Sequence, residues 1–296
     1  MAALQVSARP ISPPAPARKV QAALGDWRLV SLIGEGRWTR VFRAEPASSA
    51  PGQASDYAIK TLCANSRAPI GRAILRREAL VCREVRHPQL TALLADHATD
   101  AQPHLVLPYL EGLTLRKLTP ARIAGTATAL WIARQAAEAL AALHDAGWLH
   151  GDVRPENVRV SSRGQATLTD LGLARRIDTP ECAADPTAWT DWRYTAPEAF
   201  ASRGRLAPAS DIYSLGIVLF ELLTGRPPFD GPSLKDLAKM QQSAAPPSAR
   251  DLRPELSREV AELLGRLLAK EPLRRPSGAE LVRSLAELEI AELAAV

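Results

Sequence analysis

The chain has 296 residues, of which 46% are hydrophobic, and a formal net charge of +5. That is enough apolar material for one large domain or for two lobes around a cleft, and the basic residues are scattered, which reads as a solvated arginine-rich surface and not as a nucleic-acid interface. The three cysteines, Cys63, Cys82 and Cys182, stand far apart and outside any CxxC pattern, so neither a disulfide nor a zinc site is expected and a reducing, cytoplasmic setting fits.

Residues 1–24 carry Pro10, Pro13, Pro14 and Pro16 among many alanines and few large apolar side chains. They read as a flexible tail without the apolar stretch of a secretory signal. From Trp27 to Ile33 the pattern is that of a strand running into a glycine turn, and Val41–Ala44 is the returning strand. A Pro/Ser/Gly loop over 45–56 leads to a third strand at Tyr57–Leu62, then to a helix over 71–85. Leu93-Leu94 and His104–Leu107 are expected to close a small sheet. After Gly112 the pattern turns helical, with a long Ala/Leu-rich helix over 127–146 stopped by Gly147. Short strands follow near 158–160 and 166–169, and from Pro197 onward the chain is mostly helical, with Pro-rich loops at 226–232 and 244–254. The most apolar run, Ile212–Leu223, is broken by Ser214, Gly216 and Glu221 and is too short to span a bilayer, so it is expected to be a buried core helix with no membrane span. The expected class is α+β: a small strand-rich part, then a larger helical part.

Three segments carry chemistry. The stretch Ile33-Gly34-Glu35-Gly36-Arg37-Trp38-Thr39-Arg40-Val41 places glycines at a strand turn, where backbone N–H groups can approach phosphate oxygens, although a glycine-bearing hairpin would look the same. Lys60, among apolar neighbours in Ala58-Ile59-Lys60, needs an anionic partner if buried, and Glu78 on the following helix or nucleotide phosphates could supply it. His150-Gly151-Asp152-Val153-Arg154-Pro155-Glu156-Asn157 and Asp170-Leu171-Gly172 add a carboxylate suited to a hydroxyl proton and oxygen donors suited to a hard cation.

In order and spacing these motifs resemble eukaryotic-like protein kinases, most closely the bacterial serine/threonine kinases, over roughly residues 27–287. The resemblance implies the bilobal protein-kinase fold: a kinase domain over 25–287, with an antiparallel-sheet N-lobe to about 107, a hinge at 108–112 and a helical C-lobe, and a C-terminal tail over 288–296. It implies transfer of the γ-phosphoryl of ATP to Ser/Thr hydroxyls of protein substrates, with autophosphorylation, using Mg²⁺ or alternatively Mn²⁺. Under this resemblance Asp152 is the catalytic base, Lys60 holds the α/β-phosphates, Glu78 pairs with Lys60, and Asn157 and Asp170 are the metal ligands. Gly34 and Gly36 match the first two glycines of the phosphate-covering loop, with Glu35 between them, Trp38 at the tip and Thr39 where a third glycine is usual. Ile33, Val41, Ala58 and Leu107 line the adenine pocket, and Pro108, Tyr109 and Leu110 form the hinge, where the Pro108 carbonyl and the Leu110 backbone groups meet the base.

Arg154 stands where a lysine toward the γ-phosphate is usual, and Thr190 matches the threonine that contacts that residue and the base. Gly151 replaces the arginine that binds a phosphorylated activation loop, which suggests independence from that switch. Arg159 replaces an aliphatic residue under the adenine and could lie flat there or turn outward. Ala196-Pro197-Glu198 closes the activation segment, Arg275 resembles the partner of Glu198, and Asp211 resembles the aspartate that braces the catalytic loop. Thr179 and Thr187 are candidate autophosphorylation sites. For His144 and His87, packing or capping roles are expected, and Cys82 is assigned to the core. The departures at Thr39, Gly151, Arg154 and Arg159 keep open a pseudokinase scaffold, and His150-Gly151-Asp152 also matches small-molecule kinases of the choline or aminoglycoside type. The oligomeric state and the substrate are not legible.

Overall fold

Lys60 lies on a strand whose residues alternate between two apolar surfaces. In β4 (Tyr57–Leu62), Ala58 packs with Leu75, Ala79, Leu105 and Leu107, whereas Ile59 packs with Leu29, Phe42, Ala44 and Val106. A period of two therefore turns Lys60 to the same side as Ala58. On that side lies α1 (Ala68–Glu84), whose residues 75, 78, 79 and 82 fall on one face at helical spacing. The sheet edge and the helix face thus bring Lys60 and Glu78 together by their two periodicities.

The computed structural model describes residues 19–50, 56–63, 68–118, 125–177, 179, 191–200 and 205–295. Its described residues fall into two compact units. One runs to Glu111 and includes Asp170–Gly172; the other holds Gly112–Thr169 and Leu173 onward. In the first, β1 (Lys19–Leu24), β2 (Trp27–Glu35), β3 (Thr39–Pro46), β4, β5 (Ala95–His97) and β6 (His104–Pro108) form an antiparallel sheet in the order β1-β2-β3-β4-β6-β5. The second opens with β7 (Leu113–Thr114) and α2 (Leu115–Leu118), followed by α3 (Thr126–Asp145), β8 (Trp148–Leu149), β9 (Val158–Val160), β10 (Ala166–Leu168) and β11 (Arg175–Arg176). It continues with α4 (Pro208–Thr224), α5 (Leu234–Ser243), α6 (Ala249–Leu252), α7 (Arg258–Leu267) and α8 (Gly278–Ala294). The α+β class and the sequence of a strand-rich and then a helical part are as expected.

Within the helical unit, α4 is buried from Ser210 to Leu223, starts with Pro208 at its first turn, and ends at Gly225 in the left-handed conformation. Gly147, with φ +78°, closes α3 as expected, its N–H bonded to the His144 carbonyl at 2.9 Å. Gly278 brings α8 against α3: an added Cβ would sit 3.2 Å from that of Ala141.

Three elements differ from the sequence reading. Lys19–Leu24, assigned to the flexible tail, forms β1 on the edge of the sheet, in a local hairpin with β2 that turns at Gly25-Asp26 and sets Leu24 opposite Trp27; the Pro/Ala-rich composition before it masked that turn signal. The edge strand near Leu93-Leu94 lies instead at Ala95–His97, although the Leu94 N–H still bonds the Val106 carbonyl. Helix α8 runs to Ala294, past the expected limit at 287, because its last turns carry no breaker. Residues 1–18 lie outside the described residues.

Candidate functional site

In the strand-rich unit the centre is an ammonium flanked by carboxylates. Lys60 is 3% exposed, and its Nζ donates to Glu78 Oε2 at 2.5 Å and to Asp170 Oδ1 at 2.7 Å. Burial alone would push this amine down, but the charges of Asp170 and Glu78 more than offset it and hold its pKa above the ordinary lysine value. Glu78 is itself 1% exposed, and burial pushes its carboxyl up, opposed by the charge on Lys60 and by a backbone hydrogen bond from Leu171. The backbone forces this meeting. Asp170 has φ +66°, the one described non-glycine residue in that region, where a side chain is costly unless its surroundings fix it. Next to it, Gly172 lies so close to α1 that a Cβ would stand 2.4 Å from Ile74 Cγ2. The Asp170 side chain keeps 42% of its surface exposed, unlike its two partners.

Around this centre, Ala58 and Leu107 are buried in one apolar cluster, and Ile33 and Val41 pack against it, so the four residues expected around the base share one surface. Tyr57 pairs with Pro108, and the Tyr109 N–H is engaged by the Asp56 carbonyl at 2.7 Å, while the Arg43 guanidinium lies 4.5 Å above the Tyr109 ring. Leu110 follows, half-buried. Gly34 and Gly36 lie at the β2–β3 turn; a Cβ on either would meet nothing nearer than 3.6 Å, and neither has a positive φ. No described neighbour requires glycine at these positions, so a cradle kept open for a close-approaching anion fits them. Glu35 pairs with Arg40 at 2.9 Å, and Thr39 is buried at the start of β3.

In the helical unit, the segment His150–Asn157 is fixed from below. Asp211, 3% exposed on α4, accepts the His150 N–H at 2.8 Å, the Gly151 N–H at 2.9 Å and a bond with His144 Nε2 at 2.9 Å. Burial would raise the Asp211 carboxyl, but His144 above all, with His150 and the Gly151 amide, holds it below the usual carboxylate range. Gly151 needs to be glycine here: its φ is +75° and a Cβ would stand 2.9 Å from the Leu173 carbonyl. Above it, Asn157 Nδ2 donates to Asp152 Oδ2 and to the Asp152 carbonyl, both at 2.8 Å. That orients the amide and leaves the Asn157 side-chain oxygen as the donor atom a hard cation would use. Arg154 Nε lies 3.9 Å from Asp152 Oδ2 and 3.5 Å from Glu156 Oε2, buried and without a hydrogen bond of its own. Arg159 donates from Nη2 to the Gly112 carbonyl at 3.0 Å. Thr190, Thr187 and Cys182 lie outside the described residues; Thr179 is described and donates to the Arg176 carbonyl at 3.0 Å.

The helical unit also holds a cluster that sequence reasoning missed. Arg116 donates from Nε to Glu156 at 2.7 Å, from Nη1 to Glu221 at 2.6 Å and from Nη2 to the Tyr194 hydroxyl, which in turn donates to Glu221 at 2.6 Å. Partners 40, 78 and 105 positions away leave no local signal. His144, expected only to pack or cap, is tied to Asp211, while the Gln89 N–H bonds His87 Nδ1 as a turn would. Arg275 grips Glu198 through two parallel bonds, at 2.8 and 2.9 Å. Cys82 is buried and its thiol pushed up to about 12 by burial, then by Glu78, which makes it an inert core residue.

A family model described as "Protein kinase domain" matches residues 27–285. Among curated proteins, the chain is 33% identical over 261 residues to "Serine/threonine-protein kinase PrkC" of Bacillus subtilis (strain 168), covering 86% of this chain and 39% of that protein. It is 35% identical over 274 residues to "Serine/threonine-protein kinase pkn2" of Myxococcus xanthus, covering 88% and 32%. It is 33% identical over 246 residues to "Serine/threonine-protein kinase PknB" of Mycobacterium tuberculosis (strain ATCC 25177 / H37Ra), covering 77% and 38%. The chain therefore spans about a third to two fifths of the length of these relatives.

Proposed function

Because this chain belongs to the protein kinase domain family, we propose that it transfers the γ-phosphoryl of ATP to Ser or Thr hydroxyls of proteins, itself included. The observation that carries this reading is the buried Lys60 ammonium held by Glu78 and by an Asp170 forced into φ +66°. A structural ion pair would not need a third, partly exposed carboxylate on a strained backbone; a site awaiting phosphates and a cation would. Lys60 is assigned to the nucleotide phosphates, with the β2–β3 turn at Gly34 and Gly36 over them and Ile33, Val41, Ala58 and Leu107 against the base. Pro108, Tyr109 and Leu110 are assigned to its hydrogen-bonding edge. Asp152, positioned by Asn157 Nδ2, takes the hydroxyl proton, and Arg154 with Thr190 supports the transferring group.

Asn157 and Asp170 are assigned as ligands of a divalent cation, Mg²⁺ in this reading with Mn²⁺ as the alternative. Among the described residues no group of three His, Cys, Asp or Glu could hold a metal; a cation bound here would complete its shell with phosphate oxygens and water, as Mg²⁺ does. Such an ion neutralises charge on the phosphates.

Autophosphorylation would fall on Thr179 or Thr187. The substrates are proteins rather than small alcohols because Glu198 and Arg275 build the platform after the activation segment. No helix among the described residues is long and apolar enough to cross a membrane, and a cytoplasmic setting, with no nucleic acid as partner, is part of this reading.

The experiment is incubation of the full chain with labelled ATP and Mg²⁺, with and without generic Ser/Thr proteins, beside Lys60→Met and Asp152→Asn. Transfer by the parent chain, lost in both variants, is expected, with label mapped to hydroxyl residues by mass spectrometry. No transfer by the parent with either Mg²⁺ or Mn²⁺, despite nucleotide binding, would return the scaffold reading. Turnover of small alcohols but not of proteins would return the small-molecule one.

A further inference from the structure

Arg116 on α2 stands between two carboxylates of the helical unit, and its planar fork serves three segments at once. Nε donates to Glu156 Oε1 at 2.7 Å, Nη1 to Glu221 Oε1 at 2.6 Å and Nη2 to the Tyr194 hydroxyl. Glu221 accepts the Tyr194 hydroxyl on its second oxygen at 2.6 Å, so both of its oxygens are engaged. Glu156 belongs to the 3₁₀ turn Pro155–Asn157, whose last residue orients Asp152 through two bonds at 2.8 Å. Tyr194 ends the turn Trp192–Tyr194, just ahead of Ala196-Pro197-Glu198, and its carbonyl accepts the Ser214 hydroxyl of α4 at 2.6 Å. We propose that Arg116 is a positioning residue for the transfer: with Glu221 it forms the second of two grips by which α4 holds the segment 150–157, and thereby fixes where Asp152 stands.

Helix α4 is buried from Ser210 to Leu223, which makes it a fixed post in a close-packed interior. In its first turn Asp211 takes the His150 and Gly151 N–H groups directly. Glu221 lies ten residues further on, about 15 Å along the helix axis. It meets the other end of the segment as one carboxylate meets another, and without a cation between them Glu221 and Glu156 would repel. The guanidinium turns that repulsion into a bridge, because its donors leave a rigid fork in several directions. Asp152 lies between the two grips. Neutralising a buried charge explains the bond to Glu221, which is 5% exposed. It does not explain the bond to Glu156, whose side chain is 32% exposed and would be hydrated without it. What the second bond adds is position: it ties the turn that carries Asn157 to the helix that also carries Asp211.

This inference rests on the reading that Asp152 takes the hydroxyl proton, and a readout other than activity keeps the two apart. The full chain is compared with Arg116→Ala and with the double variant Arg116→Ala/Glu221→Gln. Transfer from Mg²⁺–ATP to dephosphorylated casein gives kcat and KM, and hydrogen exchange read by mass spectrometry gives the protection of the amides of 152–157. Urea curves give stability and show the conditions in which each variant is folded. Glu221→Gln removes the buried charge that Arg116→Ala leaves unpaired, so the double variant should regain part of the lost stability. It does not restore a tie from Glu156 to α4. The expected result is a kcat about 10- to 100-fold below the parent in Arg116→Ala and equally low in the double variant. Exchange over 152–157 should be faster in both, and the kinetic effect should lie in kcat rather than in KM for ATP. A kcat that recovers with stability in the double variant, or parental kcat or parental exchange in folded Arg116→Ala, would overturn the positioning role and leave the kinase reading intact. A parent chain that transfers nothing, while its 152–157 amides still respond to Arg116→Ala, would overturn the kinase reading and with it the role in the reaction.

Discussion

Replacing Asp211 by alanine tests how the segment around Asp152 is held. The carboxylate takes the backbone N–H groups of His150 and Gly151, at 2.8 and 2.9 Å, in a place where His150 is fully buried and Asp211 is 3% exposed. Alanine orphans both donors and also frees His144 Nε2. Each buried unsatisfied N–H costs about 1–3 kcal/mol, so the two amides together cost about 2–6 kcal/mol. Set against a total stability of about 5–15 kcal/mol, that is a large fraction. Asp211→Asn would be milder, since the asparagine side-chain oxygen keeps one amide while its NH₂ group faces the other. The catalytic consequence should exceed the thermodynamic one, because the φ +75° turn at Gly151 sits directly before Asp152. A displacement of Asp152 on the scale of 1 Å would lower kcat by about 10²-fold. Urea unfolding followed by the buried Trp148, in the same unit, gives the stability term, and phosphotransfer gives the other. The pH dependence adds a signature. The folded carboxyl is held below its unfolded value, so its contribution is present above about pH 4 and fades as pH falls through the folded pKa. Asp211→Asn should therefore flatten the acid limb of the stability curve. Asp211→Ala within about 1 kcal/mol of the parent and with undiminished turnover would refute the bracing argument.

Gly151→Ala should destabilise by about 1–3 kcal/mol, since a left-handed backbone costs a side chain about 1–2 kcal/mol and the new Cβ lies 2.9 Å from the Leu173 carbonyl; thermal melting checks it, and Gly151→Arg should do no better. Arg116→Ala leaves Glu221, 5% exposed, without its cation. The loss should be about 2–3 kcal/mol, below the range for fully buried pairs because the Arg116 side chain is 31% exposed. Adding Glu221→Gln should recover part of it in a double-mutant cycle of urea midpoints. Burial, with Arg275 beside it, pushes the Lys270 amine down to about 8, while its Nζ lies 4.1 Å from the centre of the Phe229 ring. Between about pH 8 and the ordinary lysine value of 10.5 the unfolded chain then binds more protons than the folded one, so stability from this group rises with pH. Lys270→Met should remove that rise, and parallel midpoint-versus-pH curves for the two proteins would contradict it.

What could be read from the sequence was whatever a local period or a fixed motif encodes. The strand at Tyr57–Leu62, the long helix to Gly147, the core helix over Ile212–Leu223 and the approach of Glu78 to Lys60 all follow from periods of two and 3.6 acting over short spans. The misses differ in kind. Strand β1 was a local miss, a hairpin turning at Gly25-Asp26 behind a Pro/Ala-rich stretch, whereas the Arg116 cluster exists through partners up to 105 positions away. Bonds of that kind are decided when the chain has folded, and no single segment carries them. Backbone strain was equally invisible: nothing in Asp170-Leu171-Gly172 as letters announces φ +66° at its first residue, although the glycine required beside Ile74 is a trace of it.

Three of the four positions where this chain departs from the kinase pattern, Thr39, Gly151 and Arg159, are fastened within their own units, which bears on the scaffold reading. Thr39 is buried opposite Leu62, and its carbonyl closes the glycine turn, so the missing third glycine is replaced by a strand residue already in use. Gly151 occupies a backbone conformation that an arginine could hold only under strain. Arg159 sits in β9 between Thr114 and Thr167, and its guanidinium is bonded to the carbonyl of Gly112, where Val160 leaves no room for a Cβ. All three substitutions change how the framework is tied. The ammonium of Lys60, the carboxylates of Asp152 and Asp170, and the amide of Asn157 keep the chemical types the transfer needs, and their local bonds orient them. A scaffold that had given up turnover would require none of the cost at Asp170, where a strained backbone and a buried lysine are maintained together. On the proposed function that cost is met by a charge that arrives with a ligand, and the departures would then bear on the affinity for ATP before the capacity for transfer.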